Sequence, residues 1–273
     1  MSYSTIMIAL DLDHSNEARL RIAADLAARF DARVIGIAAG VLQPLYFVEG
    51  PAAENLLAKD QAALEAHIAA CERSFRTLFK GHSQPVQWRS AFERPGDYVA
   101  EQARAADLIV AASHRVAIDR LRQADPGELV LTAGRPVLVV PPEVAWLSAK
   151  KVLVAWKDTR EARRAVNDAL PLLHRAEEVV VVEIAERDAD REAALMHVKD
   201  VAAWLTRRGI AAASVATKAL IGVPAQLEVI AQDEGADLIV AGAYGHTRLR
   251  EWVFGGVTRD LLLRGKRCVL LSH

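Results

Sequence analysis

The chain has 273 residues, 52% of them apolar and 25% charged, with a formal net charge of -1. That length holds one large or two ordinary soluble domains, and the near-neutral charge gives no global attraction for nucleic acid or an anionic membrane. No apolar run approaches a bilayer span and the N-terminus lacks a basic-then-apolar leader pattern, so cytoplasmic residence is expected. The two cysteines, Cys71 and Cys268, read as reduced buried thiols.

In chain order, a strand is expected over residues 5–10, then a helix over 18–30 with Leu20, Ile22, Ala23 and Leu26 at helical spacing, and a strand over 33–39. An apolar insertion, Leu42 to Val48, follows at the carboxyl end of that strand; it reads either as packing on the body or as a lid or docking patch. A helix is expected over 60–80, with Leu64, Ile68, Cys71, Phe75 and Leu78 on one stripe. His67 and Cys71 share a metal-compatible spacing there, but no third ligand can be named, so a core thiol beside a histidine is the expectation. Strands over 86–91, 107–112 and 136–140, with a helix over 96–105, complete the first half.

Pro141 and Pro142 stop that last strand and open a boundary that runs to Lys150, dividing the chain into domains over 1–142 and 150–273. The second half repeats the plan. Strands are expected over 152–156, 178–184, 212–218, 237–241 and 267–271, and helices over 161–175, 189–208, 224–232 and 257–263. The repeat is literal in one place: Ala106-Asp-Leu-Ile-Val-Ala111 recurs as Ala236-Asp-Leu-Ile-Val-Ala241. Strand and helix alternating throughout imply α/β domains built on parallel sheets.

The stretch from Asp237 to Thr258 carries the strongest functional signal. An apolar strand runs into Gly242 and Gly245, and Gly255-Gly256 and Thr258 follow just before a helix. Glycines let a backbone approach an anion, and the first-turn N–H groups of the helix point at it. His246, Arg248 and Arg250 add donors of suitable sign. The alternative is a plain structural turn. No nucleophile elbow and no Walker-type phosphate loop appears, and no catalytic residue can be nominated.

With two such halves and this Gly-x2-Gly-x9-Gly signal, the chain resembles a tandem universal stress protein along essentially its whole length. The resemblance implies two five-stranded parallel-sheet domains of the adenine nucleotide alpha hydrolase-like kind. It also implies strand order 3-2-1-4-5 and packing as an internal pseudo-dimer, with association into a homodimer a further option. It implies ATP, with Mg²⁺, as the ligand of the second half. Ribose and phosphates would lie on Gly242, Gly245, Gly255 and Gly256, with His246, Val257 and Thr258 around the loop. Two positions depart from the family pattern: Gly256 stands where a Ser or Thr is usual, and Lys157, followed by Asp158, stands where a strand-end Asp is usual. In the first half Asp11 does match that Asp, but the glycine loop has decayed to Ala112-Ser113-His114-Arg115 and Asp125-Pro126-Gly127, so no ATP is expected there. The resulting expectation is a nucleotide-binding regulatory or protective stress factor with at most slow ATP hydrolysis. The alternatives are a stress factor acting through protein or small-molecule contacts without nucleotide, and a nucleotide-using transferase or ATPase.

Overall fold

The computed structural model describes residues 2–43, 50–113, 118–243 and 256–273. They divide into two compact units. One holds Tyr3–Ala112 with residues 118–135; the other holds Pro136–His273 together with Ser2 and Ser113.

In the first unit, β1 (Thr5–Ala9), β2 (Arg33–Ala39), β3 (Val86–Ala91) and β4 (Leu108–Ala112) form a parallel array in the order β3-β2-β1-β4. Its helices are α1 (Glu17–Phe30), α2 (Pro51–Leu78), α3 (Pro95–Gln102) and α4 (Pro126–Thr132). Ile6, Met7, Ile8, Leu108, Ile109 and Val110 are fully buried, as strands covered on both faces must be. Each such side chain contributes roughly 1.5–3 kcal/mol on leaving water.

Two elements differ from the sequence expectation. Helix α2 begins at Pro51 rather than at residue 60. Gly50 turns the chain with φ 67° and Pro51 takes the first helical position, where its missing N–H costs nothing. The Ala-, Leu-, Glu- and Lys-rich stretch that follows favours helix even though most of it is exposed. Helix α4 was not anticipated, yet Asp125-Pro126 is a start signal: the Asp125 carboxylate accepts the Gly127 N–H at 2.9 Å.

The other unit contains β5 (Val137–Val140), β6 (Lys151–Ala155), β7 (Glu178–Ala185), β8 (Ala212–Lys218), β9 (Leu238–Gly242) and β10 (Cys268–Ser272). The order β8-β7-β6-β9-β10 is parallel, and β5 pairs antiparallel to β10, with Val139 opposite Val269. Helices α5 (Arg160–Leu173), α6 (Arg191–Thr206), α7 (Val223–Asp233) and α8 (Gly256–Arg264) complete it.

The literal repeat has a mechanical reason. Asp107, just ahead of β4, accepts the N–H groups of Ser4 and Thr5 at 2.8 and 3.0 Å. Asp237, just ahead of β9, accepts Ser148 N–H at 2.7 Å, the Ser148 hydroxyl at 2.8 Å and Ala149 N–H at 3.1 Å. In each unit this aspartate ties the segment entering the first strand to the start of the fourth.

Candidate functional site

The second unit carries the geometry that makes a ligand crevice. From the adjacent strands β6 and β9 the sheet continues to β7 and β8 on one side and to β10 on the other. The connections wind away from each other at this point, which leaves a gap at the carboxyl ends of β6 and β9.

Lys157 and Asp158 follow β6 into that gap. The Lys157 ammonium is exposed and lies 3.4 Å from the Glu186 carboxylate. Asp158 is engaged at 2.5 Å by Arg163, also exposed. Just below, on β7, Glu183 is hydrogen-bonded to His197 of α6 at 3.1 Å. Burial raises the Glu183 pKa above the ordinary carboxylate value, with Asp158 adding to the rise, while His197 and Lys157 oppose it. Sequence reasoning missed Glu183 and His197, whose strand and helix positions carry no motif.

Gly242 ends β9. A Cβ there would stand 2.4 Å from the Ala162 nitrogen and 2.6 Å from the Glu161 carbonyl carbon. The first turn of α5 therefore rests directly on the strand, and close packing accounts for glycine at this position. Thr159 caps α5 by accepting the Ala162 N–H at 3.3 Å. Beside Gly242 stands Trp156, one residue past Ala155, which itself pairs with Ala241. Trp156 is 9% exposed, and its Nε1 has no hydrogen-bond partner among the described residues.

Gly256 opens α8, is exposed, and among the described residues has nothing within 4 Å of where a Cβ would be. Val257 is half-buried and Thr258 is buried. Gly245, His246 and Gly255 lie outside the described residues, as do Arg248 and Arg250 and most of the apolar insertion, residues 44–49. The structure thus brings Gly242, Lys157 and Asp158 to the ends of neighbouring strands and puts Gly256, Val257 and Thr258 in the first turn of α8. A donor without a partner among the described residues, an exposed ammonium and a helix start fit an anionic ligand rich in acceptors.

Comparison with known proteins bears on the second half first. The sequence model of the Universal stress protein family matches residues 148–273. The second half of the chain is a universal stress protein domain. Universal stress protein MJ0577 of Methanocaldococcus jannaschii is 36% identical over 53 residues, a match spanning 19% of this chain and 33% of that relative. Over the whole chain the fold is similar to that of a universal stress protein from Archaeoglobus fulgidus, with 14% identity, 98% of each chain covered and TM-score 0.74. A functionally unknown protein of Pseudomonas aeruginosa, PA1789, is similar at 16% identity and TM-score 0.59, covering 99% of this chain and 92% of its own. The α/β fold of mostly parallel strands is thus shared along the whole chain with these neighbours.

Among the described residues no helix is long and apolar enough to cross a membrane. No group of three or more His, Cys, Asp or Glu is placed to hold a metal ion among them either. His67 pairs instead with Asp13 at 3.1 Å, and the Cys71 thiol donates to the Asp11 carbonyl at 3.4 Å.

Proposed function

We propose that this protein is a nucleotide-binding stress factor whose universal stress protein domain takes ATP, with Mg²⁺, at the carboxyl ends of β6 and β9. The observation that carries the reading is the switch-point crevice at the carboxyl ends of β6 and β9, together with an α8 that begins at Gly256, where nothing among the described residues lies within 4 Å of a Cβ position. Gly245, Gly255, Gly256, Val257 and Thr258 would surround the phosphates, with Gly242 at the strand end and His246 as a further donor. Lys157 would meet a phosphate as a point charge, and Asp158 would face the nucleoside. Bound Mg²⁺ would screen phosphate charge. The chain's own part is to bind and orient the ligand, and a regulatory or protective role in the cytoplasm follows more readily than turnover.

Mass spectrometry of freshly purified, denatured protein tests this directly. Bound adenine nucleotide, and a thermal stabilisation by Mg-ATP that disappears in Gly245→Val, are the expected results. Absence of both would leave the second reading, a stress factor that acts without nucleotide through protein or small-molecule contacts. That reading is favoured by one observation: Lys157 and Asp158 already have partners in Glu186 and Arg163.

A further inference from the structure

The equivalent crevice of the first unit lies at the carboxyl ends of β1 and β4, and its polar groups are engaged by the chain itself. Asp11 follows β1, as Lys157 follows β6, but it is 1% exposed. The Arg19 guanidinium, 3% exposed, reaches it from α1 and pairs with the carboxylate at 2.9 Å. Arg19 also donates to the Ala9 carbonyl at 2.8 Å and to the Asn16 side chain at 2.5 Å. Asn16 in turn accepts the Asp11 N–H and donates to the Asp11 carbonyl, both at 2.9 Å. Asp11 therefore has no exposed oxygen to offer a ribose. Withdrawing Arg19 to free it would strand a buried cation.

The loop after β4 supplies the second closure. Its described part, residues 118–125, crosses the ends of β1 and β2: the Arg122 carbonyl accepts Leu12 N–H at 3.3 Å, and the Leu121 carbonyl accepts Val41 N–H at 3.1 Å. The turn is held by Asp119, whose carboxylate accepts Leu121 N–H at 2.9 Å and whose carbonyl accepts Gln123 N–H at 2.8 Å. Side chains fasten it outward. Arg122 pairs with Asp60 of α2 at 2.6 Å, and Gln123 meets His14 at 2.5 Å. The packing is tight enough that a Cβ on Gly40 would lie 3.2 Å from the Leu121 carbonyl oxygen.

The third closure is at α4. Where a phosphate would seek first-turn N–H groups, the Asp125 carboxylate already holds that of Gly127, with Arg120 at 3.1 Å from it. An anion arriving there meets a fixed negative charge.

From these three contacts we infer that the first unit is a self-liganded copy: Arg19, the 118–125 loop and Asp125 stand in for the ligand and hold the crevice shut without one. This inference does not depend on what the second unit binds. Hydrogen exchange of the ligand-free full-length protein tests it, because the Leu12 and Val41 amides are donors only to the covering loop. Both should exchange at least about 100-fold more slowly than in an unstructured peptide, and Asp119→Ala should erase that protection while β1 and β2 stay protected. Free exchange at Leu12 and Val41 in the unaltered protein would overturn the proposal. Photolabelling with 8-azido-ATP gives a second, independent readout. Label absent from residues 10–16 and 118–125 is expected, whether or not the second unit is labelled. Label on those residues, competed by ATP, would overturn it.

Discussion

Asp107 and Asp237 show how a repeated residue earns its repetition through hydrogen bonds. Each gathers the amides of the segment that enters a first strand, and the bonds are charge-assisted. Asp237→Ala leaves Ser148 and Ala149 N–H groups without their acceptor and should cost about 2–3 kcal/mol, readable as a lower urea midpoint at unchanged slope. Asp237→Asn should recover part of the loss. A midpoint shift near zero in Asp237→Ala would mean that the entry segment is not held by this residue. The cysteines give a pH-dependent counterpart. Burial pushes the Cys71 thiol up from 9.0 to about 11 and that of Cys268 to about 12. Both are raised in the folded state, so their contribution is fully present below pH 9 and is lost as pH rises towards 12. The Cys71→Ala, Cys268→Ala double variant should show a shallower fall in stability over that window than the parent; equal slopes would contradict the assignment. At neutral pH both thiols stay protonated and slow to react.

Capping groups fix where helices begin. Thr159 starts α5, and Asp125 starts α4. Thr159→Ala should lower stability by about 1 kcal/mol, since α5 rests on Gly242 through the very turn that Thr159 orders. Thr159→Ser should be close to neutral, and equal losses in both variants would point to the methyl group rather than the hydroxyl. At this scale the strands were legible, because buried parallel strands appear as apolar runs between breakers: Ile6–Ala9, Leu108–Val110 and Val179–Val182 stand out on composition alone. Helix α2 was legible only from residue 60, because its first turns bury almost nothing and so show no stripe. Gly242 was read as part of a phosphate cradle. Its tight contact with Glu161 and Ala162 comes from a helix some eighty residues upstream in sequence, which local spacing cannot reveal. Asp11 lies just past β1, but nothing around Arg19 in the sequence announces that its guanidinium turns back onto a strand end eight residues earlier.

For the whole molecule, duplication was readable from the sequence, and so was its asymmetry: the second copy kept its glycines and the first did not. Strand β5 precedes the proline boundary and pairs with β10. A strand edge left bare invites association with another chain. A fragment spanning 136–273 should therefore remain monomeric at concentrations where one spanning 148–273 self-associates, as followed by light scattering. Identical behaviour of the two fragments would show that β10 tolerates a free edge.

The same strand decides how the protein would respond to a protease. The segment between Val140 and Lys151 joins β5 to β6, so a single cut there severs the polypeptide while leaving β5 hydrogen-bonded along β10. The nicked species should migrate as two bands in denaturing gels and as one particle on a sizing column. Covalent continuity and structural continuity part company at that point.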